Sequence, residues 1–244
     1  MAEAFVQEGI NVVLNGRTKE KLVRAAAQIG QSDRLFIVSG DITQPETAKR
    51  IINAAVEHFG QVSILVNNAG IFHSRPFTAY TVDELDTFLG YMRGAFILTQ
   101  EVVQQMQKQG QGGAIVNIGT VLASNGVHNL PSAAPIIAKG GIMALTRNLS
   151  VELATDNIRI NAVAPGIVLT PILGELSNNQ LDALNTMQPF GRYGTPKDIA
   201  DAVLYLAKAT WVTGVILPVD GGVSAGGDGT YHGVRKESAK TAKA

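Results

Sequence analysis

Short runs that are apolar almost without a break alternate along this chain with longer segments of helical periodicity, and that alternation restricts its fold more than any other feature. Asn11–Asn15, Arg34–Ser39, Val62–Val66, Ala114–Ile118, Ile158–Ala164 and Val215–Val219 read as strands. Near-continuous apolar character is what a strand covered on both faces requires. Helices are expected between them. Met1–Gln7 reads as a helix tail stopped by Gly9, and Thr18 can cap the next helix. Thr43 with Glu46, and Thr81 with Glu84, have capping-box spacing for helices running to about Phe59 and about Gln109. Thr195-Pro196 is a cap followed by Pro at the first helical position, for a helix to about Ala207. Strands separated by helices pair in parallel, so the expected fold is α/β, a Rossmann-like doubly wound parallel sheet. In such sheets ligands lie beyond the carboxyl ends of the strands. Asn15–Arg17, Asp41–Ile42, Asn67–Gly70, Gly119–Thr120 and Pro165–Thr170 should therefore line one rim.

Composition excludes several functions. The chain has 244 residues with no internal linker or repeat, so residues 1–222 read as one domain and the Gly- and Lys-rich 223–244 as a flexible tail. Twenty basic and twenty acidic residues give no net charge, and aromatics are 6%, so no nucleic-acid partner is expected. No cysteine is present, which removes disulfides and thiolate metal sites, and no metal centre is expected. The N-terminal MAEAFVQEG is too short and acidic for a signal peptide, and no apolar run reaches membrane-spanning length. A cytoplasmic protein without a membrane partner is the expectation.

The most informative stretch is Val116–Ser150. Val116–Ile118 ends a buried strand, glycine and polar residues cross over, and a helix begins near Pro135 with Lys139 one turn later on the same face. This segment resembles the catalytic stretch of the short-chain dehydrogenase/reductase family, in which a strand ending N-I-S-S precedes a helix beginning Y-x-x-x-K. Here NIGT places Thr120 at the family's serine, and Lys139 falls on its lysine. Further matches follow in the family's order: NNAG at Asn67–Gly70, the turn at Pro165-Gly166, Thr170, PFGRYGTPKDIA at Pro189–Ala200 and VDGG at Val219–Gly222. The resemblance covers about Met1–Gly222.

The resemblance implies a nicotinamide-dependent oxidoreductase acting on a small-molecule carbonyl or alcohol. It implies cofactor contacts from Arg17, Asp41, Ile42, Asn67, Asn68, Ala69, Gly70, Lys139, Pro165, Gly166, Ile167 and Thr170. Arg17 follows Gly16 where members that prefer NAD usually carry an acid, so NADP is expected over NAD. Thr120, Lys139 and Tyr91 are the catalytic candidates. Tyr91 stands where the family has an asparagine near the lysine, and is a phenol that could replace a lost acid. His73 and His128 are other candidate donors. The apolar residues Ile172, Leu173, Leu176, Leu181, Leu184 and Met187 read as a substrate lid or a packed amphipathic helix. A homodimer or homotetramer is expected, packed through the helices of Glu84–Gln109 and Pro135, whose Gly94, Ala95, Gly140, Gly141 and Ala144 would allow close approach.

Two family features are absent. Pro135 replaces the tyrosine proton donor, with about two extra residues between it and Thr120. The family also opens with a strand and a T-G-x-x-x-G-I-G turn that cradles the cofactor pyrophosphate. By resemblance Met1 falls after that turn, and a misplaced start or a truncated product is expected rather than a rearranged sheet. The two strands flanking the lost one would be left unpaired, at a cost. Two functions therefore stay open: an impaired reductase, or a non-catalytic descendant serving as a binding or assembly subunit.

Overall fold

The computed structural model describes residues 1–30, 33–126, 130–173, 177–186 and 188–225. His128, Leu176, Met187 and residues 226–244 of the expected tail lie outside them. Helices α1 (Ala2–Gln7), α2 (Lys19–Ile29), α3 (Pro45–Phe59), α4 (Val82–Gln109), α5 (Ala133–Glu152), α6 (Asn178–Thr186) and α7 (Pro196–Lys208) are observed. The strands are β1 (Val12–Gly16), β2 (Leu35–Ser39), β3 (Ile64–Asn67), β4 (Gly113–Ile118), β5 (Ile158–Pro165) and β6 (Ile216–Val219). Each lies within two residues of its expected start.

Helix starts follow their caps, with one correction. The Thr81 hydroxyl accepts the Glu84 N–H at 3.2 Å, and the Glu84 carboxylate accepts the Thr81 N–H at 2.8 Å. Thr195 and Asp198 form the same reciprocal pair at the head of α7. The box expected from Thr43 and Glu46 does not form. Pro45 takes the first helical position, which its fixed φ and missing N–H suit, so Gln44 becomes the N-cap. Thr43 is instead held in the preceding turn, its N–H on Asp41 Oδ1 at 2.9 Å. Thr18 occupies the N-cap of α2, but its side chain accepts no capping bond.

All strand pairs among the described residues are parallel, in two sheets ordered β1-β2 and β3-β4-β5-β6. Helices cover both faces. Ile115 and Val116 are adjacent in β4 and both 0% exposed. Ile115 packs in one cluster with Ile51 and Ile52 of α3 and Leu98, Val102 and Met106 of α4. Val116 packs in another with Phe5 of α1 and Ile199, Val203 and Leu206 of α7. Two apolar layers explain the unbroken apolar strands, and each such side chain contributes about 1.5–3 kcal/mol on burial. Among the described residues β1 and β3 each pair on one side only and border a cleft of about 410 Å³.

A buried polar chain ties this core together. Asn67 Nδ2 donates to Thr99 Oγ1 at 2.9 Å and to Asn117 Oδ1 at 2.8 Å, and Asn117 Nδ2 donates to Thr146 Oγ1 at 2.9 Å. It links β3, β4, α4 and α5, and Gly70, Thr120 and Lys139 lie just beyond or on these elements. Asn117→Ala should lower the unfolding free energy by about 1–3 kcal/mol in urea titrations, because it strands an Asn67 donor in a dry interior. A change within error would mean that water replaces the amide.

Candidate active site

The carboxyl end of the four-stranded sheet brings Gly70, Thr120 and Lys139 together. Lys139 lies in the second turn of α5, whose start at Ala133 is two residues earlier than the proline suggests. Its Nζ donates to the Ile118 carbonyl at 2.7 Å, at the end of β4. A Cβ on Gly70 would come 3.2 Å from that Nζ, so the glycine after β3 leaves room for the amine. Lys139 as a residue is half-buried, and its ammonium is withdrawn from water. Burial lowers its pKa from the ordinary 10.5 to about 8. Among the described residues no carboxylate is within ion-pair range of it. A protonated amine with donors to spare and no counter-ion suits hydroxyl oxygens of a ligand.

Thr120 follows Gly119 directly after β4. Its Oγ1 accepts the Leu122 N–H at 3.3 Å, which leaves the hydroxyl proton available to a ligand oxygen. Pro135 is buried in the first turn of α5, one turn before Lys139. It has no proton to transfer. The 3₁₀ turn Val121–Ala123 packs against α5 and brings these residues close.

The other candidates divide into two groups. Asn67 is committed to the interior network, while Asn68 and Ala69 are exposed and Gly70 is half-buried. At the end of β5, Pro165 pairs with Val219 of β6, and the Gly166 N–H reaches the Val219 carbonyl at 3.1 Å. A Cβ on Gly166 would lie 2.7 Å from that of Asp220, so this turn passes close under the 219–222 segment. The Ile167 carbonyl accepts the Gly194 N–H at 2.8 Å, and the Thr170 carbonyl accepts that of Leu173 at 3.1 Å, leaving both side chains half-buried at the rim. Ile172 is exposed in a 3₁₀ turn, and Leu181 and Leu184 are half-buried on α6.

Arg17, Asp41 and Tyr91 border a second hollow of about 480 Å³. The Arg17 guanidinium lies 6.0 Å from the centre of the Tyr91 ring, a cation–π distance. Tyr91 therefore packs at the end of β1, where it also borders the cleft between the sheets. Ile42 is buried beneath, and Gly94 lets α4 approach its backbone, since a Cβ there would sit 2.7 Å from the Ile42 carbonyl. Gly141 likewise faces Met92. These two glycines serve packing inside the chain, where contact with a second subunit was expected. His73 is drawn toward α4: its ring lies 4.8 Å from Phe88 and 5.7 Å from Tyr80, and Nε2 is 3.4 Å from Glu84 Oε1.

Sequence reasoning missed two groups. Arg93 enters the Arg17 hollow, where its Nη1 donates to the Thr43 carbonyl at 3.0 Å. Its spacing of three from Gly90 could have shown that it shares that face. Gln188 is 2% exposed, with no partner for its Nε2, and sits against Gly221. Nothing local in the sequence marks it. Among the described residues no cluster could hold a metal, and no helix is long and apolar enough to cross a membrane.

A family profile described as enoyl-(acyl carrier protein) reductase matches residues 1–224. The 3-oxoacyl-[acyl-carrier-protein] reductase FabG of Thermotoga maritima is 33% identical over 227 residues, covering 90% of this chain and 89% of the relative. An L-rhamnose 1-dehydrogenase (NAD(P)(+)) of a Sphingomonas species is 34% identical over 226 residues, covering 89% and 87%. The crystal structure of a 3-ketoacyl-(acyl-carrier-protein) reductase from Brucella melitensis complexed with NADH superposes with a TM-score of 0.84 at 32% identity, covering 91% of each chain. The chain belongs to the short-chain dehydrogenase/reductase family of oxidoreductases.

Proposed function

We propose that this protein is an NADP-linked oxidoreductase that reduces a small carbonyl compound or oxidises the matching alcohol, at a rate limited by the absence of a tyrosine acid. The observation that carries the reading is the desolvated, unpaired ammonium of Lys139 beside Thr120 at the strand ends. The residues present suit the adenosine, ribose and nicotinamide parts of the cofactor. Arg17, without an ion-pair partner among the described residues, would hold a 2′-phosphate, with Asp41 and Ile42 beside the adenine. Asp83 and Asp86 border the same hollow and moderate that attraction. Lys139 would donate to ribose hydroxyls, Asn68–Gly70 would wall the cofactor, and the Pro165–Thr170 segment would border the nicotinamide. The bound nicotinamide supplies the hydride. Thr120 donates a hydrogen bond to the substrate carbonyl, polarising it. The oxygen must then draw its proton from water or a more distant group, since Pro135 offers none. General acid catalysis is worth roughly 10²–10⁴-fold, and that factor is what the site lacks.

Arg17→Asp should weaken NADPH at least about tenfold while changing NADH little, because a guanidinium–phosphate contact is charge-assisted. Titration of nicotinamide fluorescence with both cofactors measures it. Equal losses for the two would remove the phosphate assignment.

Pro135 favours a second reading, in which the pocket survives without turnover as a binding or assembly subunit. Exposed Phe96 on α4, and Ile137 and Val151 on α5, support self-association as a dimer or tetramer in either case. NADPH oxidation across a panel of aldehydes and ketones separates the two readings. Cofactor binding with no turnover of any member supports the second.

A further inference from the structure

We propose that Lys139 is also a nucleophile, whose neutral amine takes aldehydes at the strand-end site as an imine. The inference uses the same lysine as the reduction proposed above but no cofactor, so the two readings fail separately. Among the described residues every other lysine is exposed, and Lys197 and Lys208 are ion-paired with Asp201 and Glu8. Lys139 alone is drawn inward. Its amine has no carboxylate in ion-pair range among the described residues, and its hydrogen bond goes to the Ile118 carbonyl at 2.7 Å. Desolvation penalises a charge there and no anion compensates it, so the uncharged form is favoured. Only that form has the lone pair that attacks a carbonyl carbon, and lysines tuned in this way are the ones that form Schiff bases.

The surroundings give the lone pair a place to work. The bond to Ile118 uses one N–H and anchors the nitrogen at the end of β4. A Cβ on Gly70 would lie 3.2 Å from Nζ, so the missing methyl leaves the nitrogen open on that side. Gly70 is half-buried and continues into exposed Ala69 and Asn68, which connect the opening to solvent. Thr120 follows Ile118 by two residues and keeps its hydroxyl proton for a ligand oxygen, since its Oγ1 accepts the Leu122 N–H. Pro135, one turn before Lys139 on the same helix face, adds neither charge nor acid. An amine bordered by a glycine and without an anion suits an uncharged, unhindered carbonyl, and aldehydes are the least hindered.

The nitrogen pair forms a C–N bond as the carbonyl π pair moves to oxygen. One proton passes from nitrogen to that oxygen and gives a carbinolamine. The C–O bond then breaks, and the oxygen leaves as water with the second nitrogen proton. One aldehyde and one amine thus give one imine and one water, with no oxidant or reductant. At pH 7.5 a pKa of about 8 leaves about a quarter of Lys139 neutral, against roughly 0.1% of an exposed lysine.

The test incubates the whole chain, without NADPH, with millimolar butanal and sodium cyanoborohydride, which reduces an imine to a stable secondary amine. The adduct adds the mass of the aldehyde less one oxygen. Peptide mapping locates it, because N-terminal α-amines react in the same pH range. At pH 7.5 Lys139 should be labelled at least tenfold faster than any other lysine. That advantage should shrink above pH 8, where exposed lysines still gain about tenfold per pH unit and Lys139 does not. Gly70→Ala should slow labelling of Lys139 at least tenfold by closing the approach. Labelling of Lys139 no faster than that of the exposed lysines overturns the proposal, and so does a ratio that stays constant from pH 7 to pH 10. Full-speed labelling in Gly70→Ala overturns it too, because the amine is then reached as a surface lysine is. If that variant unfolds, the site-resolved rates of the native protein decide the question.

Discussion

Pro135→Tyr is expected to raise the kcat of carbonyl reduction by about 10²-fold or more, the low end of what a placed general acid contributes. The residue lies in the first turn of α5, and Lys139 follows on the same face one turn later. Lys139 reaches the Ile118 carbonyl at the end of β4, so a phenol one turn earlier on that face would lie near the ammonium. The ammonium would favour phenolate formation by its charge, and so tune the acid toward neutral pH. Pro135 is buried, so the larger ring strains its surroundings unless it takes the ligand side; overpacking of that kind costs about 1–3 kcal/mol. The insertion before the helix could also misplace the ring. Deletion of Ala133 and Ala134 is the better companion change. The Pro131 carbonyl accepts both Ser74 Oγ at 2.7 Å and the Arg75 N–H at 2.9 Å, and removing Pro131 would release the loop after β3. Steady-state NADPH oxidation with a panel of aldehydes and ketones gives the answer. If neither variant turns over any member while the cofactor binds, a reductase lacking one group is the wrong description, and the binding-subunit reading replaces it. If the parent protein already turns over at the level of Pro135→Tyr, the acid lies elsewhere, and Tyr91→Phe is the next comparison.

The parts of this molecule legible in its sequence are those set by local chemistry. Thr81 with Glu84, and Thr195-Pro196, announced their helices because a cap is satisfied within four residues. Strands buried on both faces showed as unbroken apolar runs, and Ile115 beside Val116 shows why. Thr43 with Glu46 carried the same signature as Thr81 with Glu84 and failed, because Pro45 between them specified a different first residue. Gly94 and Gly141 looked like contacts between subunits. A small residue records only that something comes close, and here it is the Ile42 backbone and Met92. The motif reads Tyr91 as near the lysine, and in the structure its ring lies 6.0 Å from the Arg17 guanidinium. Alignment along a helix fixes which turn a residue occupies; the rotamer and its neighbours decide what it touches. The unpaired amide of Gln188 had no local signature at all, because its burial depends on the 219–222 segment meeting it from far along the chain.

Stability should climb by about 2 kcal/mol between pH 8 and pH 10 because of Lys139, and that climb should vanish in Lys139→Met. The folded-state pKa of Lys139 is about 8, against an ordinary 10.5. Between those values the unfolded chain holds a proton that the folded chain has released. The unfolded state therefore binds more protons, and unfolding free energy rises with pH through that window. Below pH 8 the folded protein carries a buried ammonium with one hydrogen bond and no counter-ion. Lys139→Met removes that burden and loses the bond to the Ile118 carbonyl, worth about 1 kcal/mol, so the variant should equal or exceed the parent at pH 7. Tyr80 has the opposite sign. Burial raises its pKa above 10, so the folded state keeps a proton that the unfolded state loses, and stability falls at still higher pH. This sets pH 10 as the upper end of the useful range. Urea titrations at pH 7.5, 8.5 and 10 on both proteins isolate the lysine by difference. Parallel lines for parent and variant would show that water reaches the ammonium, and the case for a desolvated donor awaiting a ligand hydroxyl would fall with them. A steep parent line that flattens on saturation with NADPH would tie the same amine to the cofactor. A ligand oxygen accepting from the ammonium stabilises its charged form and returns the pKa toward that of a lysine in water.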